Sequence, residues 1–486
     1  MRAAVFRHEM RELFRLAVPV AAAQAGTQLM GLVDVAVLGR LGARELAAAS
    51  VGNAVFFAFS VVGIGIVLGI DPLVAQAVGA SDHARARREL WQGIWLAIGV
   101  SAALTAVLVV CANALSLIGA PELTEDARAF LLVRTTSLLP LLIFFAMRSY
   151  LQAYGRTWPL LVAMVTANVL NLGGDILLVW GGHSLPAWTG PLRLIPPLHV
   201  AGAALATTIC TIAEVGIVLV PIRSMRLPEH IGHGWKREDV VRAFKIGLPI
   251  GLQMGAEVGV FALVALLAAR VGTLQLAAHQ VAISLASFSF TVIIGVAAAG
   301  SVRVGMAIGA RDRVATRMAG HVAILGGVLV MGTSALMFAL IPRTLARLVT
   351  DQESVLRTAA PLLLVVAVFQ LSDGIQGVAA GVLRGAGDTK YTFYVNLFGH
   401  WCVGLPIALV LGFRLHYGVV GLWWGLCAGL TVVAVFLFVR FEKLSRGTIE
   451  PIHKKGEGLA GGPSSSYAAP ARTTAPAAPA TQDDTD

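Results

Sequence analysis

Apolar residues in this chain do not alternate with polar ones at a short period; they come in long blocks separated by short polar stretches. Twelve blocks of helix length stand out, at residues 13–38, 46–78, 90–117, 129–153, 158–180, 200–222, 240–269, 276–306, 316–341, 361–383, 391–413 and 419–439. Each meets the roughly 20-residue requirement for an α-helix that crosses the hydrocarbon core of a bilayer. Lipid offers no partner for backbone N–H and C=O groups, so helices, whose bonds close within the segment, are the structure such blocks predict. An even number of spans places both ends of the chain on one side.

Composition agrees with this picture. The chain is 57% apolar and 13% charged with a mean hydropathy of +0.78, whereas soluble domains carry about 25% charged residues. The net charge of +10 falls in short clusters between the apolar blocks, with no basic stripe beside stacking aromatics, so a nucleic-acid partner is not expected. Counted by side, 25 Lys and Arg lie with the N-terminus and 9 opposite. The positive-inside rule then predicts a multi-pass protein of the cell membrane with both termini cytoplasmic. The start of the chain is basic and then apolar beyond signal-peptide length, which reads as an uncleaved first span. Cys111, Cys210, Cys402 and Cys427 all fall inside apolar blocks without metal or disulfide spacing and read as packing residues. Residues 442–486, rich in Gly, Ala, Pro, Ser and Thr, read as a disordered cytoplasmic tail.

The blocks also repeat. LGARELAAASV from Leu41 resembles VGTLQLAAHQV from Val271, GASD from Gly79 resembles GARD from Gly309, and Pro19 matches Pro249, all at an offset of 230. LQAYGRT from Leu151 resembles LRGAGDT from Leu383 at an offset of 232. The organisation expected is an N-lobe of six spans (1–225), a cytoplasmic linker (226–239) and a C-lobe of six spans (240–441). Repeats with an even number of spans insert in the same direction and enclose a path at their interface. Pro19 and Pro249, in the first helix of each half, are candidate bending points.

Charges inside the spans are few. An aspartate at the centre of a spanning helix costs about 2.5–3.5 kcal/mol on insertion scales, so its presence points to function. Asp373 in the tenth block and Glu257 in the seventh are the deepest acids, with no Lys or Arg of their own helices placed to neutralise them. In the fifth block Asn171 and Asp175 share a helix face, and with Asp34 and Thr207 they can form an oxygen-rich pocket for a proton or a hard cation such as Na⁺. If a cationic substrate and H⁺ or Na⁺ compete for the same carboxylates, each leaves before the other binds, which is the chemistry of antiport. Other polar residues invite local readings. Asp71 precedes Pro72 and is expected to satisfy a kinked backbone; Gly377 and Gly381 to pack closely; Gln24, Gln28, His279 and Gln280 to bond between helices; Glu214 has no visible partner.

Taken together, LAVPV, DVAVLGRLGARELAAASVGN, LVAQAVGA, RSYLQAYGRTWP, AAHQVAISLASFSF, SVRVGMAIGARD and FQLSDGIQGVAAGVLRGAGDTKY resemble the multidrug and toxic compound extrusion (MATE) family, in its NorM-like branch. The resemblance covers residues 13–441. It implies an all-α membrane protein, twelve transmembrane helices in two pseudo-symmetric six-helix lobes forming a V, exporting cationic amphipathic compounds against Na⁺ or H⁺. By similarity, Glu257 and Asp373 match the C-lobe acids of the family, and Asp34, Asn171, Asp175 and Thr207 its N-lobe cation site. Phe369 stands where sodium-coupled members carry a tyrosine, which removes an oxygen from the C-lobe site. No cofactor is implied, no metal beyond Na⁺ at the acidic clusters, and the protein is expected to be a monomer whose partners are small cationic compounds and the bilayer.

Two other readings compete. A lipid or lipid-linked sugar flippase of the same architecture would carry a strongly basic central cavity, whereas the deep charges here read as acidic. An integral-membrane enzyme such as a prenyltransferase would need an acidic metal-diphosphate motif of the DDxxD kind, which the sequence lacks.

Overall fold

The computed structural model describes residues 2–115, 121–184, 187–225 and 234–453. Among them, twelve helical segments are long and apolar enough to cross a membrane. The N-lobe holds α1 (Phe6–Leu41), α2 (Ala43–Gly79), α3 (His83–Ala114), α4 (Leu123–Ala153), α5 (Trp158–Trp180) and α6 (His199–Ser224). The C-lobe holds α7 (Arg237–Val271), α8 (Thr273–Gly309), α9 (Arg313–Leu340), α10 (Glu353–Gly385), α11 (Thr389–Arg414) and α12 (Gly418–Ser445).

Departures from regular helix have local causes. Pro72 removes a backbone donor, and α2 tightens to a 3₁₀ turn at Leu68–Ile70 just before it. The α4 segment is two helices, Pro121–Thr135 and Leu138–Ala153, so the fourth span starts earlier than its apolar block and breaks in the middle. Pro19 and Pro249 lie inside helices that run through them without interruption. Wide π turns at Phe398–Gly404 and Val410–Arg414 interrupt α11.

The repeat is visible in backbone detail. Ser81 and Arg311 both take left-handed conformations (φ 58°), and the following Asp82 and Asp312 each cap a helix by accepting from a backbone N–H at 2.9 Å, Arg85 and Ala315 respectively. The matching GASD and GARD segments therefore build the same turn. Just before these turns the lobes meet: a Cβ on Gly79 would stand 2.0 Å from the Met306 carbonyl oxygen, and one on Gly309 2.0 Å from that of Gln76. Only glycine permits backbones to approach so closely.

Polar bonds close the same end of the seam. Glu9 of α1 receives Arg303 of α8 through two N–H donors at 2.6 and 3.1 Å. Gln76 of α2 donates to the Gly385 carbonyl of α10 at 3.1 Å. Beyond α12 the chain stays attached: the Ile452 N–H donates to Gln76 Oε1 at 2.9 Å, and its side chain sits against Gly387. Residues 442–453, expected to open the tail, are instead held against the lobes. Helix α12 continues to Ser445, with Phe441 and Ser445 buried, because these residues close the base of the C-lobe; residues 454–486 lie outside the described residues. So does most of the expected linker, residues 226–233. Farther along the same helices Phe57 of α2 and Phe288 of α8 are exposed.

Candidate functional site

Between the lobes lies a cavity of about 290 Å³ whose walls come from α1, α2, α4, α7, α8, α10 and α11. Glu257 of α7 lines it, half-buried. Its Oε1 accepts hydrogen bonds from Gln253 one turn back (3.2 Å), from Gln376 of α10 (2.9 Å) and from Asn396 of α11. Asp373, one turn before Gln376 on α10, is buried and lies within electrostatic range of Glu257. The structure therefore brings the two C-lobe acids together. Phe369 is buried edge-on to Phe261 and Trp423, with ring centroids 6.2 and 5.4 Å apart, so an aromatic wall stands one turn from Asp373. His279 accepts from Trp423 Nε1 at 3.1 Å, the interhelical partnership expected for it. Gly377 and Gly381 pack against α8, as their spacing predicts: a Cβ on Gly381 would lie 2.5 Å from the Ala297 carbonyl oxygen.

The N-lobe residues also converge. Asn171 donates to Asp34 Oδ1 at 3.0 Å and Thr207 lies 3.5 Å from Asp34 Oδ2. Asp175 is fully buried and close enough to Asp34 for the two acids to interact electrostatically. Neither Asp175 oxygen has a hydrogen-bond donor among the described residues. A second cavity of about 210 Å³, lined by Thr207 among others, runs from this pocket and shares Gln24, Phe57, Ile64, Phe145 and Arg148 with the walls of the central one. Among the described residues no group of three or more His, Cys, Asp or Glu is arranged to hold a metal ion.

Two sequence expectations change here. Asp71, expected to satisfy its own kinked helix, instead has its polar contacts outside that helix: it accepts from Ser149 and pairs with Arg384 of the opposite lobe at 3.5 Å. The deep charges are also not all acidic, since Arg148 and Arg384 line the central cavity with Asp71 and Glu257. Arg148 closes one turn of α4 beside Phe145, its guanidinium 5.1 Å from the ring centroid. Sequence reasoning missed Asn396 and the Arg384 pairing because both act across helices far apart in the chain. Gln253, one turn from Glu257, was readable from spacing.

With this geometry in hand, comparison decides the family. The MatE family model matches residues 19–177 and 249–410, one stretch in each lobe. The chain belongs to the MatE family. Among curated relatives, the probable multidrug resistance protein NorM of Pseudomonas putida is 34% identical over 447 residues, covering 89% of this chain and 94% of the relative. The protein of the same name from Deinococcus radiodurans is 36% identical over 440 residues, 89% and 95% of the two chains. The solved outward-facing conformation of a multidrug resistance MATE family transporter of the MOP superfamily superposes with a TM-score of 0.79, at 19% identity, over 90% of this chain and 96% of that one. The MatE fold accounts for the paired lobes and the cavity between them.

Proposed function

We propose that this MatE protein is a multidrug exporter, not an enzyme, that moves cationic amphipathic compounds out of the cell in exchange for H⁺. The observation that carries this reading is a pair of buried acidic clusters, one per lobe, flanking an inter-lobe cavity sealed at the end that carries the termini. The excess of Lys and Arg at that end supports a cytoplasmic seal, an outward-open V and a cell-membrane location. The curated relatives named as multidrug resistance proteins support the substrate class. A monomer suffices, since one chain supplies both lobes.

In the proposed cycle, Glu257 and Asp373 hold either the cationic group of the substrate or a proton. Three amide N–H donors fix Glu257 Oε1 and leave Oε2 to face the incoming charge. Proton binding removes the attraction for substrate, and alternating access turns that competition into exchange. Phe369 supplies no oxygen to this site, which weakens the case for Na⁺ there, and on that ground H⁺ is favoured over Na⁺. Pro19 and Pro249 are the proposed bending points. The test is efflux of a cationic dye from proteoliposomes under separate pH and Na⁺ gradients, with wild type, Asp34→Asn, Glu257→Gln and Asp373→Asn. Driving by pH alone and loss in the variants support the reading. Undiminished efflux by all three variants refutes the carboxylate mechanism, and driving by Na⁺ alone refutes the choice of ion.

A further inference from the structure

The N-lobe cavity contains an acid that the mechanism above leaves unused. Glu214 of α6 lines it, 6% exposed, and its Oε1 has no hydrogen-bond partner among the described residues. Thr207, Thr211 and Glu214 follow at spacings of four and three residues, so they lie on one face of α6. All three line the same cavity. Thr211 donates its hydroxyl hydrogen to the Thr207 carbonyl at 2.7 Å, and Thr207 donates to the Ala203 carbonyl at 3.0 Å. Each hydroxyl oxygen keeps lone pairs free to accept from water. The row therefore leads from the Asp34 carboxyl, 3.5 Å from Thr207, to Glu214 through groups able to order a short chain of waters.

The charges around this row are unequal. Arg134 of α4 acts electrostatically on both Asp34 and Glu214, yet its own contacts are elsewhere: it donates to Ser137 Oγ at 2.7 Å and lies 4.5 Å from the centroid of the Phe56 ring. Arg148, also on the cavity wall, interacts with Asp71 and Arg384 instead. Cys210, one turn before Glu214, is the remaining titratable neighbour. Asp34 and Glu214 thus share one guanidinium while Asp175 has only Asp34 beside it, and uncompensated charge in a cavity lined mostly by apolar side chains is unfavourable. Neutrality requires two further positive charges.

We propose that Glu214 is a proton-binding site of the N-lobe, distinct from the Asp34–Asp175 pocket, so that this lobe holds two exchangeable protons rather than one. This rests on the proposed exchange of H⁺. A hydronium in the cavity forms an O–H bond at Glu214 Oε1 and leaves water behind; the reverse step returns the proton to the Thr211–Thr207 row or to the central cavity. Arg134 is the fixed counter-charge that serves whichever acids are ionised at that moment.

The test needs no transport. Infrared difference spectra of purified protein in lipid nanodiscs, recorded over a pH titration, report each carboxyl that gains a proton as a separate C=O band. Glu214→Gln is expected to lose one band that Asp34→Asn retains, and Glu214→Asp to restore a shifted one. Thermal unfolding of each variant checks that the protein remains folded. A folded Glu214→Gln variant with the wild-type set of bands overturns the proposal. Failure of the wild type to respond to a pH gradient in proteoliposomes overturns the broader proton-exchange reading while leaving the band assignment intact, so the two failures are distinguishable.

Discussion

Asp71 of the N-lobe and Arg384 of the C-lobe stand 3.5 Å apart on the wall of the central cavity, with Ser149 donating to the same aspartate. Both side chains are largely shielded from solvent. Removing one partner of a buried pair costs about 3–5 kcal/mol because the other charge is left unmatched. Here part of that penalty falls on the closed seam alone. Arg384→Gln is expected to shift the protein toward states open at the terminus-bearing end, read as longer distances between spin labels on the turns at Ser81 and Arg311. The exchanged pair Asp71→Arg with Arg384→Asp is expected to recover the short distance.

Gly79 and Gly309 meet the opposite lobe backbone to backbone. Gly309→Val places a side chain where the Gln76 carbonyl stands, and overpacking of this kind costs about 1–3 kcal/mol. The expected outcome is reduced dye efflux by a protein that still folds, with the thermal midpoint of the whole chain lowered relative to wild type.

Asn396 links α11 to Glu257 of α7. A hydrogen bond to a charged group contributes about 1.5–3 kcal/mol. Asn396→Leu is therefore expected to weaken binding of a cationic dye by about tenfold or more, measured by equilibrium fluorescence, with binding of an uncharged analogue unaffected.

Phe369→Tyr adds a hydroxyl one turn from Asp373 in the aromatic wall formed with Phe261 and Trp423. The new oxygen gives that site a ligand it lacks. Sodium is expected to stimulate transport by the variant more than by wild type, measured as initial efflux rate with and without a Na⁺ gradient. Equal sodium responses would show that the oxygen is not the deciding element.

Much of this molecule was legible in the chain before any coordinate. The length of each apolar block follows from bilayer thickness, and the 230-residue offset located both seam turns. Asn171 and Asp175 reveal their common face through helical spacing alone. What spacing cannot show is contact between distant helices. Asp71 and Arg384 are 313 positions apart, and Arg384, at the end of α10, is indistinguishable in sequence from a charge that merely sets topology. Asn396 looks like any polar residue of a spanning helix until α11 is laid beside α7. Glu214 has the opposite difficulty: its lack of a partner becomes informative only once the surrounding cavity is known.

The bond from Ile452 to Gln76 reaches beyond the transmembrane helices. Gln76 also holds the Gly385 carbonyl, so a residue seven positions past the last helix rests on the junction of the two lobes. Where a reporter domain is fused then matters. Attached directly after Ser445, it would displace the segment that covers this junction; attached beyond His453, it would leave the contact in place and sit close enough to sense whether the junction is shut. The stretch just past α12 is therefore a natural place from which to watch the protein change shape in a living cell.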